Sequence, residues 1–217
     1  MSVQKLIHIG QLVKSKEANL NKSKTSKIIA ISKTFSLDKI MPLINYGHQD
    51  YGENKVQEAL DKWTEIKAEK PELKLHLVGK LQTNKVKFAV KLFDFIHSVD
   101  SKKLAKKIYD EELNQNRKVK IFIQVNIGNE KQKSGISKND LDDLYHYCRD
   151  LKLDVIGLMC IPPFNFDPVP FFQELNKLNR NLNLKELSMG MSSDYLKAVE
   201  NHSTYLRVGS AIFGERI

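Results

Sequence analysis

A short apolar run followed by an amphipathic stretch recurs about eight times along the 217-residue chain, at a spacing of roughly 25 residues. The runs are Ile28–Ser32, His48–Gly52, Leu73–Val78, Phe93–Val99, Val119–Val125, Asp154–Met159, Glu186–Met189 and Tyr205–Val208. Several are continuous rather than alternating in hydropathy, as expected for strands covered on both faces. Between them the spacing predicts helices over 37–44, 53–67, 81–90, 101–113, 137–149, 170–178 and 192–201, with a last turn opening at Gly209–Gly214. Ser101 is placed to cap the helix it precedes, and Gly47 to end the short one before it. A further helix over 3–19 comes before the first strand. Buried strands alternating with amphipathic helices imply a parallel sheet. Eight such units in a chain of this length point to an α/β fold, a single closed (β/α)8 TIM barrel with an extra N-terminal helix. An open doubly wound sheet is the rival arrangement. No linker divides the chain, so residues 1–217 are expected to form one domain.

Composition narrows the function classes. Apolar residues at 41% and charged ones at 28% fit a globular protein with a substantial core. No apolar run reaches the length of a membrane span, and the N-terminus lacks the pattern of a secretory signal. Cys148 and Cys160 form no CxxC and no disulfide framework, which fits a reducing cytoplasm. The formal net charge of +9 permits anion or nucleic-acid binding. Yet lysine is clustered only at Asn21–Lys27 and Lys102–Lys107, without interleaved aromatics to stack on bases, so solvated helix faces are expected and a nucleic-acid partner is not.

In a barrel the chemistry sits where the strands end. The first strand stops at Ser32-Lys33-Thr34. A lysine there has an apolar wall behind it, and desolvation makes an amine a better nucleophile toward carbonyls. The plain alternative is that Lys33 marks where the strand meets water. Other strand ends bring Tyr51–Asn54, His76 and Gly79, Asn126, Met159, Ser188–Ser192 and Arg207–Ser210 to the same rim. Gly190 and Gly209 each end a strand and precede a hydroxyl residue, Ser192 and Ser210. Glycine permits close approach of a ligand, and free amides at a helix start favour an anion. The loops after strands seven and eight are where barrels commonly hold phosphate. Ordinary strand-to-helix turns with capping serines are the alternative. The six histidines are scattered without metal-ligand spacing and read as surface or packing residues. No nucleophile elbow, Walker loop or dinucleotide fingerprint is present. A lysine, a phosphate cradle and Arg207 on one rim suggest pyridoxal 5′-phosphate (PLP).

Motifs along nearly the whole chain carry a resemblance. They include Ala30–Thr34, Tyr51–Asn54, His76–Lys85, Val125–Asn126 with Lys133–Gly135, Gly157–Met159, Leu187–Ser192 and Arg207–Gly214. The sequence resembles the pyridoxal phosphate homeostasis protein family, relatives of the N-terminal barrel of alanine racemase. The resemblance implies that Lys33 is the Schiff-base lysine, that Arg207 faces the pyridine nitrogen, and that Ser192, Gly209 and Ser210 hold the phosphate. It also implies that Asn54 and Met159 line the ring. Tyr51 stands where the family usually has Phe, and Ser210 where it often has Thr. Lys80 has no assigned role.

The resemblance implies a cytoplasmic PLP carrier that regulates vitamin B6 and amino-acid balance without clear turnover, with PLP-requiring apoenzymes as receivers. Racemase-like barrels ordinarily work with a second, β-rich domain that completes the site. This sequence stops directly after the eighth unit, so little turnover and a monomer are expected. An arginine beside the ring nitrogen also leaves the ring a weak electron sink. The alternative is a PLP-dependent amino-acid racemase or lyase of narrow specificity, motivated by the same Lys33.

Overall fold

The computed structural model describes residues 1–20, 25–130 and 132–215. Eight parallel strands close into a barrel in chain order. They are β1 (Lys27–Ile31), β2 (Asp50–Glu53), β3 (Lys74–Leu77), β4 (Phe95–Val99), β5 (Lys120–Gln124), β6 (Asp154–Met159), β7 (Glu186–Ser188) and β8 (Tyr205–Val208). Each is followed by a helix of the outer layer: α2 (Leu37–Asn45), α3 (Val56–Glu69), α4 (Val86–Leu92), α5 (Lys102–Gln115), α6 (Leu141–Asp150), α7 (Val169–Asn181), α8 (Tyr195–Glu200) and α9 (Ser210–Phe213). The open-sheet alternative is excluded by the seam, where Lys27 pairs with Tyr205 and Ala30 with Val208.

The apolar run of β1 shows why this sequence folds so. Ile29 and Ile31 point into the barrel and pack with Phe95, Phe122, Met159 and Tyr205. Ala30, between them, joins the much larger core between strands and helices. Both faces are dry, so alternation in hydropathy disappears. Helix α1 (Ser2–Ala18) buries Leu6, Ile9 and Val13 and packs beside the seam against α2, α8 and α9.

Element existence follows the sequence pattern, and the boundaries shift for local reasons. Strands β6 and β8 have the expected limits. Ser101 caps α5, its Oγ accepting the Leu104 N–H at 3.3 Å. Helix α6 starts at Leu141 rather than Ser137, because Ser137 Oγ and Asp140 bond to each other in a turn. The stretch after β3 opens with a 3₁₀ turn, Thr83–Lys85, before α4. Most of the Asn21–Lys27 basic run lies outside the described residues. The Lys102–Lys107 run lies on α5, where Lys102 pairs with Asp143, Lys106 with Asp110 and Lys107 with Glu111. It is a paired, solvated helix face. No helix among the described residues is long and apolar enough to cross a membrane.

Trp63 is fully buried between α3 and β2, packs on Tyr51 and donates its indole N–H to Glu53. Trp63→Ala is expected to lower the unfolding free energy by about 3–5 kcal/mol. Urea denaturation followed by far-UV circular dichroism checks this, since Trp63 is the single tryptophan. A loss under about 1 kcal/mol would contradict this packing role.

Candidate functional site

The C-terminal strand ends surround a cavity of about 310 Å³, lined on its polar side by Lys33, Asn54, Ser192, Arg207 and Ser210. Ile31, Val78 and Ile161 supply apolar walls. The volume suits a small cofactor. A wider groove, about 810 Å³, lies at the opposite end around the N-terminal ends of β6 and β7, away from the strand ends.

Lys33 is half-buried in the turn after β1. The turn is held by polar contacts from β2 and α3. Ser32 is fully buried; its N–H donates to the Gly52 carbonyl at 2.9 Å and its hydroxyl to Glu53 Oε1 at 2.8 Å. Lys62 Nζ donates to the Ser32 carbonyl at 2.9 Å, and to Glu53 and Glu58 at 3.0 Å each. The Thr34 N–H, at a residue with φ of +67°, donates to Glu58 Oε1 at 2.5 Å. Burial pushes the Glu58 carboxyl up, but the Thr34 amide and Lys62 outweigh it and hold the carboxyl below its usual range. The backbone on both sides of Lys33 is thereby fixed.

The β7 and β8 ends form a cradle. Ser192 Oγ accepts the amides of Gly209 at 3.2 Å and Ala211 at 3.3 Å. Ser192 does not start α8, contrary to the sequence expectation. Asp194 is the residue before that helix, and its carboxylate accepts the Met191 N–H at 2.5 Å. The glycines also serve a different end than close ligand approach. Gly190 has φ of +91°, and a Cβ there would stand 2.5 Å from Ala198 Cβ; Gly209 is pressed against Ile31 of β1. Both let the protein's own elements meet.

Arg207 is buried, and burial lowers its pKa, yet a guanidinium keeps its proton at neutral pH. Its Nη2 donates to the Cys160 carbonyl at 2.8 Å and its Nη1 to Ser188 Oγ at 2.6 Å. Met159 does not reach the cavity lining. It is fully buried among the inward residues of the barrel below.

His76 does not sit at the strand-end rim where the sequence places it. His76 and His97 are packing residues, stacked on Phe95 and Phe122, and they carry hydrogen bonds as well. Both are fully buried in the lumen and hydrogen-bonded, His97 Nδ1 to Ser188 Oγ at 2.8 Å, His97 Nε2 to His76 Nδ1 at 3.0 Å, and His76 Nε2 to Asp50 Oδ1 at 3.0 Å. Burial holds His97 well below the usual imidazole range, helped by His76 and Arg207. For His76, burial outweighs the Asp50 carboxylate and again lowers the value. Both are neutral at pH 7. No signal in the sequence marked them as a pair, since β3 and β4 meet only through the fold. A group of His, Cys, Asp or Glu able to hold a metal is absent among the described residues.

The alanine racemase N-terminal domain family matches residues 13–217. A pyridoxal phosphate homeostasis protein of Aquifex aeolicus is 38% identical over 201 residues, covering 88% of this chain and 87% of its own. The human protein of that name is 36% identical over 211 residues, covering 88% of this chain and 76% of its own. The PLP-bound structure of PipY from Synechococcus elongatus superposes with a TM-score of 0.81 at 33% identity, covering 93% of this chain and all of PipY. A histidine racemase of Leuconostoc mesenteroides, 16% identical with a TM-score of 0.69, shares the fold; 95% of this chain aligns with 57% of it. A parallel barrel with an amine, a guanidinium and a hydroxyl cradle at its strand ends is thus one of the alanine racemase N-domain class. Within that class, the chain belongs to the pyridoxal phosphate homeostasis protein family.

The buried imidazoles set a pH dependence. Their folded pKa values lie below the unfolded value of 6.5, so the unfolded chain takes up protons first on acidification. Stability from these groups is complete above pH 6.5 and falls as pH drops toward the folded values. Unfolding free energy measured in urea is expected to decline below that point, by up to about 1.4 kcal/mol per pH unit for each histidine. His97→Phe should make the decline shallower; an unchanged slope in that variant would contradict the neutral buried state.

Proposed function

We propose that this chain binds pyridoxal 5′-phosphate through Lys33 and acts as a carrier in intracellular PLP and amino-acid homeostasis, without catalytic turnover. One observation carries this. Lys33, Arg207 and the cradle residues Ser192, Gly209 and Ser210 converge on a cavity whose lining, among the described residues, holds no imidazole, carboxyl, thiol or phenol. The donor set fits the cofactor at three points, with an amine for an aldehyde, hydroxyls and amides for a phosphate, and a guanidinium for a ring nitrogen. When bound, PLP supplies an aldehyde that an amine captures as a Schiff base.

In this reading Lys33 is the capturing amine, Ser192, Gly209 and Ser210 hold the phosphate, and Arg207 donates to the pyridine nitrogen. Asn54 lies against the ring, while Met159 packs in the lumen below the cavity. Arg207 keeps its own proton, so the ring nitrogen stays unprotonated and withdraws electrons weakly. Racemisation needs proton transfer on two faces of a substrate, and Lys33 is the one base in the described lining. Both features support binding over turnover. Residues 1–217 act as one unit, the receivers are PLP-requiring apoenzymes, and the working state is a monomer. Two buried free thiols, Cys148 and Cys160, support a cytoplasmic setting.

Absorbance of the PLP-loaded protein before and after borohydride tests the assignment. A visible band that borohydride abolishes is expected in the parent protein, and none in Lys33→Ala. Ser192→Ala should weaken PLP binding roughly tenfold, the worth of a hydrogen bond to a charged group. A covalent adduct retained by Lys33→Ala would refute the role of Lys33. Lys33-dependent turnover in a panel of amino acids would favour the racemase or lyase alternative.

A further inference from the structure

The barrel lumen holds a polar chain that cofactor binding alone does not explain. It runs from Arg207 in β8 to Ser188 in β7, His97 in β4, His76 in β3 and Asp50 at the start of β2, at successive separations of 2.6, 2.8, 3.0 and 3.0 Å. Arg207 and Ser188 lie near the site, whereas Asp50 lies at the N-terminal mouth of the barrel. We propose that Ser188, His97, His76 and Asp50 are positioning residues for Arg207, a one-way hydrogen-bond chain through the lumen that holds the guanidinium toward the cofactor cavity.

The direction of every link follows from the inventory of donors and acceptors. Asp50 as a carboxylate can only accept, so a neutral His76 donates to it from Nε2 and accepts at Nδ1. A neutral His97 donates that bond from Nε2 and in turn accepts at Nδ1 from Ser188 Oγ, which itself accepts from Arg207. Reversing the chain would require the Asp50 carboxylate to donate. One end is a fixed cation and the other an anion. Burial pushes the Asp50 carboxyl up, but the His76 hydrogen bond and the nearby Lys27 charge outweigh it, so the carboxyl lies below its usual range.

Two further observations tie the chain to Arg207. Among the described residues, the hydrogen bonds of the buried Arg207 go only to Ser188 and the Cys160 carbonyl, with no carboxylate in ion-pair contact. The chain is its hydrogen-bonded route to a negative charge. The imidazoles are also held against rotation, His76 stacked on Phe95 at 4.2 Å and His97 on Phe122 at 4.3 Å between ring centres. Barrel lumens are ordinarily filled by branched apolar side chains, and apolar replacement of a buried polar set is often neutral or stabilising. Stability alone therefore gives little reason for four polar residues here. The chain is not a proton path to the site, because it ends on a group that does not release its proton.

The inference rests on the reading of Arg207 as the ring-nitrogen donor, and the test separates the two. In PLP-free protein with ¹⁵N-labelled histidine, long-range ¹H–¹⁵N spectra at neutral pH should show His76 and His97 neutral and protonated on Nε2. An Nδ1 proton or a charged ring at either position would overturn the chain, whatever the cofactor does. In PLP-loaded protein, Ser188→Ala should release PLP roughly tenfold faster and Ser188→Thr, which keeps the hydroxyl, near the parent rate. His97→Phe keeps the ring stack and touches no part of the cavity, yet should release PLP at least about threefold faster. Release unchanged in both Ser188→Ala and His97→Phe would overturn the coupling. If the parent forms no borohydride-reducible adduct, the cofactor reading fails, and the histidine spectra still decide the chain.

Discussion

Closure of the barrel is the constraint on which the rest depends. The seam pairs Lys27–Ala30 of β1 with Tyr205–Val208 of β8, joining segments from opposite ends of the chain. Lys33 follows one side of this seam, and Arg207, Gly209 and Ser210 belong to the other. In an open sheet with the same elements, the lysine and the cradle would lie at separate edges. The tight contact of Gly209 with Ile31 shows how closely the two sides must meet. Any side chain at residue 209 would press on Ile31 of β1 at this seam.

Behind the site, two buried polar systems divide the work. On the outer side of β1 and β2, Lys62, Glu53 and Glu58 of the β2–α3 unit fix the backbone around Lys33. Inside the lumen, Ser188 and the histidines fix Arg207. Each system brings charge into a dry region, where an unpaired charge is costly and a paired one holds its geometry firmly. The cavity itself is then lined by few ionisable groups. In the proposed reading, that arrangement suits holding a reactive aldehyde more than driving proton transfers on a substrate.

Much of this was legible in the sequence. Eight recurring strand–helix units gave the barrel, and strand ends gave the rim, because hydropathy period and chain connectivity are local properties. Lys33, Asn54, Ser192, Arg207, Gly209 and Ser210 all reach the cavity as their places at strand ends imply. Met159 does not, because it is the last inward residue of β6 and its side chain fills the lumen below the rim. Helix α8 starts beyond Ser192 because this residue, a good capping type, bonds across to the backbone that follows β8 instead. The lumen chain was invisible because inward neighbours on β2, β3, β4 and β7 are set by barrel register, and four isolated polar residues show no period. Lys62 was hidden for a similar reason, as its partners lie on β1 and β2 while its own helix pattern reads as solvated.

Lys33 shares one cavity with Ser192, Gly209 and Ser210 across the closing seam, and in the proposed reading it is the amine that captures the cofactor there. Peptide mapping of the PLP-loaded, borohydride-reduced protein by mass spectrometry tests this most directly. A single phosphopyridoxyl group on Lys33 is expected. Label on Lys80, Lys133 or another amine, with Lys33 unmodified, would contradict it.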